Sequence, residues 1–371
     1  MANSKFTIFT SSDIGGPGPI NGLTGSLISM LDACLVTGYG EKYVGWTKPL
    51  GTISGSLSAY LPASGSKMTL FVNDAGGNVT AGGKEAWTVG WESMTALTSS
   101  NTAFFTGSVG SGYGQFPTPL QIPLSSPTPL ITSAGGHLIW RKSSTADTNG
   151  RYWIMFADAY TAHLFINTGD TAGYYYGSSF GNIYSLNGNN DAYRCLLIGR
   201  QTENNSVGNT AALNIFTDTM DIVFAGGGAM TAPMVNSLQA HSGHYMARGW
   251  SGMGSSINVG KSGDTSKLSF TSVTITGIYN YWLYSGLLQT PNPTDNTFYV
   301  SPISIIEPST ACIRGRWRGM YHLCHPAANF SDGQIINAAG DYAGKTFQIV
   351  KFAGLWGGFF AVEISNTVET N

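Results

Sequence analysis

The chain has 371 residues, of which only 10% are charged while 49 are glycine, and its formal net charge is −2. Soluble enzymes usually carry about a quarter charged residues and roughly 7% glycine, and a lone protein of near-zero net charge tends to associate. The charge balance excludes a broad basic face for nucleic acid, and the 42% apolar, 12% aromatic content excludes a disordered chain. A surface this poor in charge fits an exterior covered by other subunits, which places an assembly component ahead of an enzyme. No stretch reaches the roughly 18 to 20 apolar residues of a membrane-spanning helix, so no membrane partner is expected. The opening Met1-Ala2-Asn3-Ser4-Lys5-Phe6 has no apolar signal segment, and the expectation is synthesis in a cytoplasm without signal-peptide export. Cys34, Cys195, Cys312 and Cys324 form no C-x-x-C pair and read as buried free thiols.

In chain order, Gly15-Gly16-Pro17-Gly18-Pro19 cannot be helical and forms either a docking arm or an ordered loop. A helix follows over 24–35, where Leu27, Ile28, Leu31 and Leu35 recur at helical spacing. Thr24 is placed to cap its start, and Gly38 with Gly40 to stop it. The rest reads as strands: 68–73, 153–156, 163–167, 195–198, 213–216, 268–275, 347–351 and 359–364. They are separated by Gly, Asn, Ser and Pro clusters in the manner of a β-sandwich or barrel. Asp74-Ala75-Gly76-Gly77-Asn78 suits a hairpin turn. Proline cannot donate to a ladder, so the Pro-rich stretches mark connectors. The divisions expected are an N-terminal arm, helix and β segment (1–105), a Pro/Gly-rich connector (106–135), a central β domain (136–290), a Pro-rich linker (291–308) and a small barrel-like β domain (309–371). The fold class is mainly β with one short N-terminal helix.

Few residues suggest chemistry. Tyr321-His322-Leu323-Cys324-His325-Pro326, with Cys312 and Asp332 nearby, contains metal-ligand types, but adjacent strand residues point to opposite faces and zinc sites need other spacings. A buried strand end turning at Pro326 explains it better. His322 and Cys324 lack the third group and surroundings of a cysteine nucleophile. His241 and His244 bracket a glycine unsuited to a helix. Gly226-Gly227-Gly228 matches no phosphate-binding signature. Asp158, Asp170, Asp191, Glu203 and Asp221 are scattered singly. Arg314, Arg316 and Arg318 are the one dense basic cluster, too small for a nucleic-acid face. Tyr174-Tyr175-Tyr176 and Tyr279-Asn280-Tyr281-Trp282 suit a core or subunit interface better than a glycan platform. No catalytic, cofactor-binding or metal-ligating residue is assigned, and no cofactor is expected.

Several stretches resemble a virion protein family of tailed bacteriophages. They are Gly25-Ser26-Leu27-Ile28-Ser29-Met30-Leu31-Asp32-Ala33-Cys34-Leu35-Val36-Thr37-Gly38-Tyr39-Gly40, then Gly45-Trp46-Thr47-Lys48, Gly90-Trp91-Glu92-Ser93-Met94-Thr95, Arg151-Tyr152-Trp153-Ile154 and Asp191-Ala192-Tyr193-Arg194-Cys195-Leu196. Arg314-Gly315-Arg316-Trp317-Arg318-Gly319-Met320-Tyr321, Asp332-Gly333 and Gly344-Lys345-Thr346-Phe347 continue the series, whereas 201–300 carries no landmark. The resemblance implies a non-enzymatic structural component of the virion, located in the particle and contacting copies of itself and other virion proteins. Tail or baseplate is preferred over a capsid-surface role, either decoration or minor capsid protein. Two rivals make other demands: a host-receptor or glycan-binding adhesin needs an exposed aromatic such as Trp282, and a polysaccharide depolymerase or cell-wall hydrolase needs two carboxylates within about 10 Å in a cleft.

Overall fold

The computed structural model of the protein describes residues 5–49, 51–52, 55–65, 68–74, 85–92, 137–169, 175–191, 193–200, 242–246, 257–258, 260–261, 298, 300–307, 312–323, 330–351 and 359–365. Strand β1 (Thr7–Thr10) leads to helix α1 (Ser26–Leu31), which widens into a π-helical segment (Asp32–Thr37). Then come β2 (Leu57–Tyr60), β3 (Met68–Asn73), β4 (Glu85–Glu92), β5 (His137–Arg141), β6 (Trp153–Ala157), β7 (Thr161–Ile166), β8 (Tyr176–Asn182) and β9 (Tyr184–Ser185). β10 (Cys195–Arg200), β11 (Ser242–Met246), β12 (Ile257–Asn258) and β13 (Gly260–Lys261) precede β14 (Val300–Glu307) and the long β15 (Cys312–Leu323). β16 (Ile335–Asn337), β17 (Thr346–Lys351) and β18 (Phe359–Glu363) end the series. Among the described residues the fold is mainly β, with a single short α/π-helical segment and two 3-10 turns at Gly188–Asn190 and Gly340–Tyr342. The strands expected at 213–216 and 268–275 and the connector at 106–135 lie outside the described residues.

The helical segment buries Leu27, Ile28, Met30, Leu31, Cys34 and Leu35, the face its spacing announces. Its start differs from expectation. Gly25, at φ 84, is the capping position, and no side chain there bonds the helix. Only glycine adopts that backbone cheaply, and a Cβ on Gly25 would sit 2.6 Å from the Gly55 carbonyl. Thr24 is therefore one residue too early. The Asp74 carboxylate, on the far side of β3, accepts the Leu27 N–H at 2.8 Å instead. It also pairs with the fully buried Lys142. Asp74 thus lies buried beneath the helix, while 75–78 of the expected turn lie outside the described residues. Gly38, at φ 70, ends the segment.

Two antiparallel sheets hold the described strands. The larger runs β1-β6-β7-β8-β10-β5-β4-β3-β2, with β11 on β10 and β12 on β11. Its side chains alternate between two cores. Phe9, Trp153, Met155, Leu164, Ile166, Phe180 and Leu197 meet the helix and Trp46 on one face. Phe156, Phe165, Leu196 and Ile198 meet the second sheet on the other. Antiparallel sheets commonly leave one face to water; this one is covered on both, so all six residues of β7 are buried.

The second sheet runs β13-β14-β15-β18-β17-β16, with β9 on β15. It presents Ile303, Ile305, Trp317, Met320, Val350, Phe360 and Val362 to the larger sheet. Tyr321, Leu323, Phe347 and Ile349 form a third cluster with Phe330 on its outer face. The barrel expected over 309–371 is not closed among the described residues: the sheet ends at β13 and β16. Its inner face packs on a neighbouring sheet, which removes any need to curl upon itself. Strands from 184–185, 260–261 and 300–307 join it. Part of the 291–308 linker is therefore strand β14, and its register shifts between Pro302 and Ser304, where the proline falls.

Candidate functional site

Among the described residues a buried polar cluster lies where the two sheets meet, and a bulge in β15 builds it. Pro302 pairs with Tyr321 and Ser304 with Arg316, so 317–320 bow out opposite a single residue of β14. Gly319 takes φ +64 at the bend, where a Cβ would be driven into the Phe6 ring. A bulge of this kind re-aims side chains. Arg318 leaves the sheet and reaches Asp158 in the β6–β7 turn.

There its Nε and Nη2 donate to Asp158 Oδ2 at 3.0 and 2.7 Å. The other carboxylate oxygen accepts the Tyr160 and Thr161 N–H groups, both at 2.8 Å. The guanidinium carbon lies 4.7 Å from the Tyr160 ring centroid and 4.6 Å from that of Tyr184. Arginine's planar, weakly hydrated head suits such a sandwich, which lysine's compact ammonium would not fill. Next to it, Arg314 binds both oxygens of Asp191 at 2.9 and 2.8 Å, and Ser185 and the Tyr193 N–H complete that carboxylate.

His163 sits beneath the bulge, fully buried. Its Nε2 is 2.8 Å from the Arg318 carbonyl, which can only accept, so Nε2 carries the proton. Nδ1 therefore accepts from the Ser179 hydroxyl at 2.8 Å, and Trp317 Nε1 donates toward that same oxygen at 3.4 Å. The ring edges onto Phe6 and Trp317. Burial pushes the imidazole down to about 3, the nearby Arg318 charge adding to the effect against the carbonyl bond. A serine on a histidine with a third group behind it is the form of an activated nucleophile. Here the third group is a peptide carbonyl, and Ser179 and His163 are both sealed from solvent. In this arrangement the trio fastens one sheet to the other.

The sequence candidates fall as follows. Arg314 and Arg318 of the basic cluster are buried and paired with Asp191 and Asp158. Two of the scattered carboxylates are thereby anchors, while Asp170, Glu203 and Asp221 lie outside the described residues. His322 pairs in register with Ser301 and Phe360, and Cys324, His325 and Pro326 lie outside. Among the described residues no group of three His, Cys, Asp or Glu is placed to hold a metal ion. His244 faces Ile198 across β11 and β10; His241, Gly226-Gly227-Gly228, Tyr174 and the 279–282 cluster lie outside. Tyr176 is buried and Tyr175 packs half-buried on the inter-sheet core. Burial and the Asp332 carboxylate raise the Tyr175 phenol to about 12.

The Gly15–Pro19 stretch is an ordered loop on its own chain. Trp153 Nε1 donates to the Gly18 carbonyl at 2.8 Å, and Ile20 bridges to Arg151. Asp13 accepts from Lys42 at 2.5 Å, Tyr39 at 2.8 Å and the Thr10 N–H at 2.9 Å. Burial works to raise that carboxyl, but these bonds hold it below the usual range. The roles of His163, Ser179 and the Arg318–Asp158 clamp went unread because their partners lie far apart in sequence. No protein-family model matches the chain, and comparison with curated proteins finds no match.

Proposed function

We propose that the protein is a structural component of a tailed-bacteriophage virion, present in many copies and joined to its neighbours by non-covalent contacts. The observation that supports this most is how the chain uses its charge. Arg141–Glu85, Lys142–Asp74, Arg314–Asp191, Arg318–Asp158 and Lys345–Glu363 have side chains at most 11% exposed. Five of only 18 basic and five of only 20 acidic residues are thus withdrawn from the surface. Apolar side chains stand out instead: Ile14 is 99% exposed, Leu186 69%, Tyr43 62% and Tyr152 61%. Ile14 and Tyr43 follow Asp13 and Lys42, which form an ion pair, so both lie near one place. Exposed aromatic and aliphatic anchors on ordered loops are what a neighbouring subunit buries.

The resemblance of the motifs at 25–40, 45–48, 90–95, 151–154, 191–196, 314–321, 332–333 and 344–347 to tailed-phage virion proteins gives the reading its particular form. The test is gold-tagged antibody against this chain, applied to intact particles and viewed by electron microscopy. Gold at one defined location is expected, and its position distinguishes a tail or baseplate role from a capsid-surface one. Unlabelled particles beside abundant protein in the lysate would overturn the reading.

A further inference from the structure

The outer end of the second sheet is built as a joint. β16 pairs with β17 alone among the described residues. Ala338 N–H bonds the Lys345 carbonyl and Ile349 N–H the Gln334 carbonyl, so residues 334, 336 and 338 turn their main chain toward β17. By the alternation of an antiparallel ladder, Ile335 and Asn337 turn their N–H and C=O groups outward. Ile335 is 52% exposed, whereas Ile336 and Ala338 lean on the third hydrophobic cluster.

We propose that β16 is a self-association edge, pairing antiparallel with β16 of a second copy about a two-fold axis through Ile336. In that register each Ile335 faces Asn337 of the other copy. The outward groups of both residues are then consumed in four main-chain hydrogen bonds, and the sheet continues from one chain into the next. An isologous contact needs one self-complementary patch, and this edge supplies it. Residues 333–340 contain neither charge nor proline, two of the devices by which monomers blunt an open edge. The edge at β2 is treated differently: beyond it the chain lays Thr47 on Leu61 through two hydrogen bonds. An uncharged strand offers a foreign partner no charge to read, which favours a second copy as occupant.

A three-residue ladder buries far less than the roughly 1,600 Å² of a standard interface. A single contact is therefore weak and gains strength when copies are held in an array. Exposed Asp332 and Asp341 flank the edge, and the two-fold brings the Asp332 end of one strand to the Asp341 end of the other. Added salt screens that repulsion and tightens the pair. The inference requires only that copies meet, so it goes beyond the virion reading and is tested apart from it.

The experiment is sedimentation equilibrium of the purified full chain over a concentration series, beside Ile335→Lys and, separately, Ile336→Cys under mild oxidation. Ile335→Lys changes an exposed side chain, and an unchanged circular dichroism spectrum verifies its fold. The wild type should self-associate, and Ile335→Lys should weaken this by about tenfold or more, because it replaces two Ile335–Asn337 side-chain contacts and sets two lysines diagonally across the two-fold. Facing Ile336 positions place Cα atoms roughly 4.5 Å apart, within disulfide reach, so Ile336→Cys should give a covalent dimer absent from the wild type. Association unaffected by Ile335→Lys, a monomeric wild type, or no cross-link through Ile336→Cys would each overturn the proposal. Gold-labelled particles with no β16 association would leave the virion reading standing and remove this one.

Discussion

At the scale of single residues, the inter-sheet seam depends on groups kept in one protonation state. His163 is neutral because burial and Arg318 hold it at about 3, against an ordinary value near 6.5. An unfolded chain takes up the proton as pH falls below 6.5, while the folded one refuses it until about pH 3. His163 therefore contributes stability in full above pH 6.5 and loses it progressively toward pH 3, at about 1.4 kcal/mol per pH unit at most. His163→Gln removes the titration and keeps an amide able to bond. Melting temperatures measured from pH 8 to pH 4 should fall less steeply for the variant than for the wild type. Parallel curves would show that His163 does not set the acid limb. None of this is written locally: Ser179 lies 16 residues away and Arg318 155 residues away.

At the scale of elements, β15 shows what a sequence hides. Its Arg-x-Arg-x-Arg run, 314–318, reads only as a dense basic cluster too small for a nucleic-acid face, and arginine is seldom buried without a partner. The partners, Asp191 and Asp158, come from 123 and 160 residues earlier. The bulge at Gly319 resolves the conflict by turning Arg318 toward Asp158. Gly319→Ala should therefore destabilise the protein by about 1–3 kcal/mol, from positive-φ strain and the clash with Phe6. Phe6→Leu in the same background should restore only the steric share. Urea unfolding measures both; an unaltered midpoint for Gly319→Ala would mean the bend does not need glycine. β8 was missed for the opposite reason. Its Tyr-Gly-Ser-Ser-Phe-Gly-Asn sequence looks like a loop, yet every residue is buried, and small side chains let the β6–β7 turn approach Gly181 closely. Apolar strands such as β3 were legible to the residue, and the helix nearly so, because hydrophobic periodicity is a local signal.

At the scale of the whole molecule, the second sheet owns only the cluster on its outer face and shares the core on its inner one. The inner side chains of β14, β15, β17 and β18 share one cluster with Phe156, Phe165, Leu196 and Ile198 of the larger sheet. Expressed alone, the 309–371 segment should remain unfolded or aggregate, since it loses that shared face along with β9, β13 and β14. A fragment with dispersed amide resonances in NMR would show that the shared core is dispensable. Segment boundaries drawn from proline content could not anticipate this, because proline marks where a ladder is interrupted and not which sheet a strand joins. The same topology sets how the protein answers a pull. Tension applied along β16 runs through β17 and β18 into β15, parallel to their ladders, so the hydrogen bonds of each pair resist together. Tension across the sheet would peel them one at a time. At β15 the force meets Arg318 and its grip on Asp158, and passes into the sheet that is buried on both sides.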